Sequence, residues 1–167
     1  HSGAEIDKNR ANANKLMGRF FYGLKKKADY AIVSLAGGQK DNAITRECTA
    51  QVLTNASAEV KAYAKELQAQ IREEYAGTDE NISIEVTEEG TVCTQVLHPT
   101  SQEKVLFYLQ NVPFGIQKMS GTIPGLVETS TNIGILRLDE DELFASSSVR
   151  SSVDTACSAL SDKIEYL

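Results

Sequence analysis

Histidine is scarce in this chain, which has only two, His1 and His98, among its 167 residues. A hydrolase site with two metal ions normally gathers several His, Asp and Glu ligands at short spacings. Neither an H-x-D nor an H-E-x-x-H pattern occurs in the sequence. The sequence therefore predicts no metal site and no metal cofactor within this chain.

Cysteine is also sparse. Cys48, Cys93 and Cys157 lie far apart and show no C-x-x-C spacing. A structural zinc site and a disulfide framework are therefore not indicated. Buried free thiols in a reducing compartment are the expected state of these side chains.

Long apolar runs and concentrated positive charge are missing as well. No run approaches the ~20 apolar residues of a membrane span, and no signal peptide is visible. The formal net charge is −6, and residues 25–27 form the only dense basic run. Binding to a phosphate backbone by charge neutralisation is thus disfavoured. We expect a cytoplasmic protein with no membrane or nucleic-acid partner.

The sequence patterns of nucleophilic and phosphate-binding sites do not occur. No G-x-S-x-G elbow surrounds the serines at 146–148 or 151–152, and Gly37 belongs to no G-x-G-x-x-G loop. Glu73 and Glu74 are adjacent, but neighbours on a helix point about 100° apart. A solvated helix end explains that pair better than acid–base chemistry does. Alone, this chain is expected to be inactive.

Hydrophobic periodicity predicts alternating groups of helices and strands. The predicted helices cover residues 8–28, 57–75, 101–109 and 153–164. The predicted strands cover residues 30–36, 46–54, 82–86, 92–97, 126–139 and 143–151. Ser57 is a suitable N-cap for the second helix and Gly77 a suitable residue after its end. Residues 37–42 are the expected hairpin connection between the first two strands.

Strands joined by hairpins pair antiparallel, and helices with a single apolar stripe cover one face of a sheet. The sequence thus predicts an α+β two-layer sandwich with a ferredoxin-like arrangement. It would hold a mainly antiparallel sheet of four to five strands, with helices on one face. No internal repeat or low-complexity linker divides residues 1–167, so a single domain is expected.

Three segments together resemble a known family. They are residues 1–6 (HSGAEI) with 12–15 (NANK), residues 42–47 (NAITRE), and residues 127–134 (VETSTNIG) with 149–152 (VRSS). Their order and spacing are similar to the lid, or dimerisation, domain of aminoacyl-histidine (Xaa-His) dipeptidases, a carnosinase-like branch of the dizinc exopeptidases. The resemblance covers essentially the whole chain.

The resemblance implies a role for several polar side chains. His1 matches a lid histidine that donates a hydrogen bond to the scissile carbonyl as negative charge develops, which is a catalytic role. Arg150 matches an arginine that holds the terminal carboxylate of the peptide. Asn42 matches an asparagine that contacts the substrate backbone, with Ser130 and Asn132 as further substrate-binding candidates. Without the resemblance, Asn42 would be read as a turn former and Arg150 as a solvent-facing residue.

The resemblance also implies a larger parent protein. In that family the lid is inserted into a metal-binding domain, which supplies the ligands for two zinc ions. This chain is therefore expected to be a lid excised from a metallopeptidase, with dipeptides as substrates of the parent and a homodimer as a possible assembly. Asn12 and Asn14 are expected to serve as helix-start and packing residues instead of ligands.

Some positions depart from the family pattern. Thr45 stands where the family usually has proline, Asp7 where this branch often has histidine, and Ala11 where glycine is expected. The preference for histidine-containing dipeptides is less firmly implied than the lid itself. The alternative is a self-contained small-ligand-binding or oligomerisation module with a ferredoxin-like sheet, since such sheets host many functions.

Overall fold

The structure, a computed structural model, describes residues 3–90, 95–138 and 142–167. A short 3-10 helix at Gly3–Lys8 comes first in the described chain. The helices that follow are α1 (Ala13–Leu24), α2 (Ser57–Glu74), α3 (Pro99–Asn111) and α4 (Asp154–Tyr166). The strands are β1 (Ala31–Gly37), β2 (Cys48–Leu53), β3 (Gly115–Met119), β4 (Val127–Leu138) and β5 (Leu143–Ser151).

The five strands form one antiparallel sheet built around the long strand β4. β5 pairs along one edge of β4, while β1 and β3 share the other edge. On that edge, β1 pairs with residues 136–138 and β3 with residues 127–131. In the described part of the chain, no strand therefore flanks residues 132–135 there, a stretch we call the β4 gap.

The core lies between the sheet and helices α1, α2 and α3. Every fourth or third residue of α2 is apolar, and four of its side chains are buried on one stripe: Val60, Ala64, Leu67 and Ile71. They pack with buried side chains from α1, β1, α3 and β4: Phe21, Leu24, Ile32, Leu35, Leu109 and Leu136. α4 contacts β5 and buries Leu160. The predicted two-layer α+β sandwich is thus confirmed.

The C-terminal end of α3 is held by a side chain from α1. The last carbonyls of a helix have no partner within the helix. Here the Lys15 ammonium donates to the carbonyl oxygens of Leu109 at 2.7 Å and Val112 at 2.9 Å. Burial lowers the pKa of Lys15. A single charged group therefore fixes α1 against the end of α3.

Several predicted details differ from the structure. The N-cap of α2 is Ala56, whose methyl side chain cannot form a capping hydrogen bond, and Ser57 is instead the first residue of the helix. The connection between β1 and β2 runs over residues 38–47 and is longer than predicted. β3 was not predicted at all, since its side chains are mostly exposed and do not alternate between apolar and polar.

The segment at residues 82–86 was predicted as a strand, but no strand is assigned there in the described residues. Apolar and polar side chains nevertheless alternate in burial along this segment, because Ile82, Ile84 and Val86 are half-buried against the core. Their neighbours Ser83 and Glu85 are exposed. The backbone contacts side chains of α2: the Ile84 amide donates to Gln68 at 2.8 Å. Of its predicted partner at 92–97, residues 92–94 lie outside the described residues.

Candidate functional site

The catalytic candidate His1 lies outside the described residues. The 3-10 helix Gly3–Lys8, which follows it closely in sequence, contacts both β3 and β4. β4 carries Ser130 and Asn132, and it pairs with β5, which carries Arg150. The described chain nearest to His1 thus leads to the same region of the sheet.

Ser130 and Arg150 face each other across the pair β4–β5. In the register, Arg150 lies opposite Ser130, and Ser148 lies opposite Asn132. Directly opposed residues have side chains on the same face, and residues two apart along a strand share that face. On the other face Ile133 pairs with Ser147. After a register shift between Ile133 and Ile135, Leu136 continues this face, pairs with Ala145 and belongs to the buried core. Ser130, Asn132 and Arg150 therefore share the face that points away from the core.

The Arg150 side chain is exposed at the end of β5. Among the described residues, no hydrogen bond or ion pair engages its guanidinium. Glu128, two residues before Ser130, is paired with Lys118 at 3.0 Å. The guanidinium can therefore accept a carboxylate with two parallel N–H bonds.

Asn42 lies in a turn of the 38–47 connection and its side chain is exposed. The carboxamide of Asn132 holds the turn on both sides of it. Its Nδ2 group donates to the carbonyl oxygens of Asp41 at 3.2 Å and Ala43 at 2.7 Å. The turn that carries Asn42 is thus fastened to the same strand that carries Ser130.

A buried polar cluster fills the β4 gap. The Ile133 carbonyl oxygen there accepts from Asn12 Nδ2 at 2.9 Å and from Thr45 Oγ1 at 3.0 Å. Asn14 Nδ2 lies 3.2 Å from Thr45 Oγ1 and 3.4 Å from the same carbonyl. Side-chain donors therefore take the place of the missing strand, as buried backbone carbonyls require.

Asn12 joins this cluster to both α1 and Asn132. Its Oδ1 accepts from the backbone amides of Asn14 at 2.9 Å and Lys15 at 3.3 Å, which makes it the N-cap of α1. Its Nδ2 donates to Asn132 Oδ1 at 3.0 Å. The predicted helix-start role of Asn12 is thus confirmed, and Asn14 is a buried packing residue.

Two glycines let the 38–47 connection lie close to β4. A Cβ atom on Gly134 would lie 2.2 Å from the Lys40 carbonyl oxygen and 2.4 Å from the Asp41 Cα. A Cβ atom on Gly38 would lie 1.8 Å from the Gly134 carbonyl oxygen, and Gly38 has a φ of +82°. No other residue fits either position without moving the connection.

Cys48, at the start of β2, is a free thiol beside this cluster. Burial raises its pKa to about 12, so the group is neutral at ordinary pH. Cys157 is also a free thiol, and Cys93 lies outside the described residues. Cys48 and Cys157 are thus free thiols but only half-buried, whereas buried thiols were predicted.

The region contains few groups capable of acid–base or metal chemistry. Within residues 3–90, 95–138 and 142–167, no three His, Cys, Asp or Glu side chains come together as metal ligands. None of the helices described is long and apolar enough to cross a membrane. The arrangement offers a cation, a hydroxyl and an amide on one face, which suits recognition of a small polar molecule.

Of the predicted site residues, the structure brings together Asn42, Ser130, Asn132 and Arg150. Ser130 and Asn132 are both buried, and Asn132 already donates to two carbonyls, whereas Asn42 and Arg150 are exposed. The roles of Thr45, which donates to the Ile133 carbonyl, and of Gly134, which lets the connection approach β4, were not predicted from the sequence. Thr45 stood out only as a departure from the family pattern. A glycine inside a strand signals a bulge or a close backbone approach and would have pointed to Gly134.

Comparison with known proteins shows what this chain is similar to. A family model described as a peptidase dimerisation domain matches residues 1–79. The crystal structure of an aminoacylhistidine dipeptidase from Vibrio alginolyticus superposes on 97% of this chain with a TM-score of 0.90 and 28% sequence identity. Residues 1–79 of this chain thus match a peptidase dimerisation domain, and nearly the whole chain is similar to part of an aminoacylhistidine dipeptidase.

The relatives of the domain are considerably longer than this chain. Over 157 residues, which are 93% of this chain, it is 28% identical to the cytosol non-specific dipeptidase of Escherichia coli (strain K12). The match spans 32% of that protein and 33% of the Vibrio alginolyticus chain. The domain thus corresponds to about a third of each relative.

Proposed function

We propose that the domain is the substrate-recognising lid of a zinc-dependent Xaa-His dipeptidase. The observation that carries this proposal is the shared sheet face, with an exposed arginine opposite Ser130 and the Asn42 turn fastened to the neighbouring Asn132. The similarity to an aminoacylhistidine dipeptidase at a TM-score of 0.90 supports it. The parent reaction would be hydrolysis of a dipeptide by a metal-activated water.

In this proposal Arg150 binds the terminal carboxylate of the dipeptide. A guanidinium forms two parallel, charge-assisted hydrogen bonds with a carboxylate. The Ser130 hydroxyl, directly across the strand pair, supplies a further polar contact. This arrangement selects substrates by the distance between a free carboxylate and the peptide bond.

Asn42 and His1 contact the other part of the substrate. The Asn42 carboxamide both donates and accepts, which suits a peptide group of the substrate. His1 donates a hydrogen bond to the scissile carbonyl as its oxygen becomes negative. Closure of the lid would exclude water from the reaction.

The zinc ions of the parent would be bound outside this domain. No cluster of three candidate ligands occurs in the described residues, so they do not fit a zinc site. The domain alone is then inactive, and its contribution is recognition. We further propose that the parent is cytoplasmic, acts on dipeptides and forms a homodimer through this domain, without nucleic-acid or membrane partners.

Substitution of Arg150 by alanine in the full-length parent tests the role in carboxylate binding. We expect kcat/KM for dipeptides with a free carboxylate to fall by at least ~10-fold, since hydrogen bonds to a charged group contribute about 1.5–3 kcal/mol. Dipeptide amides should be hydrolysed at an unchanged rate. Steady-state kinetics on matched pairs of substrates provide the measurement.

Arg137→Ala is the matched control, because Arg137 is also exposed on this sheet and its guanidinium lies 5.1 Å from the Phe144 ring. That variant should retain activity on both substrates. Equal losses on acids and amides in the Arg150 variant would overturn the carboxylate-binding role.

The alternative function, a self-contained ligand-binding module, predicts a different behaviour of the isolated chain. The 167-residue chain, incubated with zinc and a Xaa-His dipeptide, should show no turnover if it is a lid. Turnover by this chain alone would contradict the proposal. Tight dipeptide binding by this chain, measured by calorimetry without zinc, would favour the binding module instead.

A further inference from the structure

We propose that Asn132 is a positioning residue: it holds the 41–43 turn so that the Asn42 side chain faces the substrate, and does not itself bind substrate. This inference rests on the proposed function, because it assigns Asn132 a task in the same site. It also separates Asn132 from Ser130 and Arg150, which the resemblance groups together as ligands.

The hydrogen-bonding capacity of the Asn132 donors is fully used. Its Nδ2 group has two hydrogens, and the carbonyl oxygens of Asp41 and Ala43 accept at 3.2 Å and 2.7 Å. Its Oδ1 accepts from Asn12 Nδ2 at 3.0 Å. A substrate could reach the Asn132 donors only by displacing the turn.

Asn132 and Asn42 also differ in burial. Asn132 is only 5% exposed, whereas Asn42 between its two anchored neighbours is exposed. In the described residues, no hydrogen bond holds the Asn42 side chain. The backbone on both sides of Asn42 is therefore fixed, while its carboxamide remains available. This is the arrangement expected of a binding side chain on a preorganised turn.

Asn12 fixes the orientation of the Asn132 amide. Asn132 Oδ1 is bonded to Asn12, which caps α1 and is itself buried. The orientation of the Asn132 amide is thereby set by a helix, and its donors must point to the turn. Gly134, two residues later on β4, lets the same turn approach the strand. Helix, strand and turn thus form one rigid support for Asn42.

The first experiment measures turn order in the 167-residue chain by 15N relaxation, with Asn132→Asp as the variant. Aspartate keeps an acceptor for Asn12 but replaces both donors with oxygen, which repels the two carbonyls. We expect the order parameters of Asp41, Asn42 and Ala43 to fall from about 0.85 to below about 0.6. Asn132→Ser, which keeps one shorter donor, takes its place if the aspartate variant does not fold.

Thr131→Val is the matched control. Thr131 is the neighbouring residue, and its buried hydroxyl has no hydrogen-bond partner among the described residues. Valine has nearly the same shape as threonine. This variant should leave the turn ordered. An unchanged turn in both Asn132 variants would overturn the inference.

The second experiment uses the full-length parent and combines substitutions. Asn42→Ala removes contacts to substrate, so KM should rise by about 10-fold with kcat largely kept. Asn132→Asp should produce the same rise in KM, and the double variant should be no worse than either single variant. A merely structural defect would instead lower the active fraction, seen as reduced kcat at unchanged KM.

The outcomes separate this inference from the proposed function. Additive losses in the double variant would mean that Asn132 acts on substrate independently, which overturns the positioning role. A disordered turn in Asn132→Asp together with unchanged kinetics in Asn42→Ala would reject the substrate role of Asn42. In that case the support of the turn by Asn132 stands.

Discussion

At the scale of single residues, the close approach of the 38–47 connection to β4 depends on the absence of side chains. Gly134 lies against the backbone of Lys40 and Asp41, and Gly38 lies against Gly134. The atoms that would clash are backbone atoms, which cannot rotate away as a side chain can. Relief therefore requires the whole turn to move.

Gly134→Ala should destabilise the protein by about 1–3 kcal/mol, the usual cost of overpacking a tight contact. Urea denaturation of the 167-residue chain gives the free energy of unfolding. Gly121→Ala is the matched control, because a Cβ atom there meets nothing within 4 Å. Equal stability of the two variants would show that the turn adapts without cost.

The residues of the candidate site differ in how well the sequence reveals them. Arg150, Ser130 and Asn42 were predicted through the family resemblance, and the structure brings them to one face. The saturation of Asn132 was not predictable, because its partners Asn12, Asp41 and Ala43 are roughly 90 or more positions away in sequence. Periodicity reports which face a residue occupies, but not which distant atoms meet it.

At the scale of elements, α1 begins at a residue that both caps the helix and bridges to the sheet. Asn12 accepts from two amides of the first turn through Oδ1 and donates through Nδ2 to Asn132 and Ile133. Capping requires only the oxygen, whereas bridging requires the nitrogen. Substitutions can therefore separate the two functions.

Asn12→Asp should keep the cap but lose the bridge, since its carboxylate would face the Ile133 carbonyl and Asn132 Oδ1. We expect a loss of about 2 kcal/mol in the free energy of unfolding, from unpaired buried acceptors. Asn12→Ala, which also removes the cap, should lose about 1 kcal/mol more. Urea denaturation measures both variants.

Asn111→Ala serves as a control for loss of an asparagine. Asn111 is exposed, and its Nδ2 donates to the Phe107 carbonyl within α3, its one partner in the part of the chain that the structure describes. Its substitution should change the free energy of unfolding by less than ~0.5 kcal/mol. Wild-type stability in Asn12→Asp would mean that the bridge contributes nothing.

Elements with a strong apolar pattern were the predictable ones. β5 was predicted with the bounds that the structure shows, and the helix predicted over residues 57–75 is α2, Ser57–Glu74. β3 was missed because it is short and follows Pro113, with four of its five residues exposed. Its place is set by pairing with β4, which is a tertiary effect that local patterns do not contain.

At the scale of the whole molecule, the thiol of Cys48 and the hydroxyl of Tyr30 make the stability of the fold depend on alkaline pH. Burial raises the pKa of Cys48 from its ordinary 9.0 to about 12. It also raises the pKa of Tyr30, whose hydroxyl donates to the Phe21 carbonyl at 2.8 Å. The folded state therefore keeps protons that the unfolded chain releases.

Stability should consequently be complete below pH 9 and decline as the pH rises towards 12. For each such group the free energy of unfolding falls by up to about 1.4 kcal/mol per pH unit in this window. Urea denaturation at intervals from pH 7 to 11 would show the decline. Cys48→Ala should make it shallower, and an unchanged slope in that variant would exclude the thiol as a contributor.

The β4 gap has a consequence for how the chain finds its strand pairing. Sliding β1 by two residues along β4 would keep the same side chains facing the core. It would also carry Ile133 away from Asn12 and Thr45, leaving several polar groups buried without partners. The polar side chains in the β4 gap thus help to set the strand register, because they destabilise shifted registers that the hydrophobic pattern alone would allow.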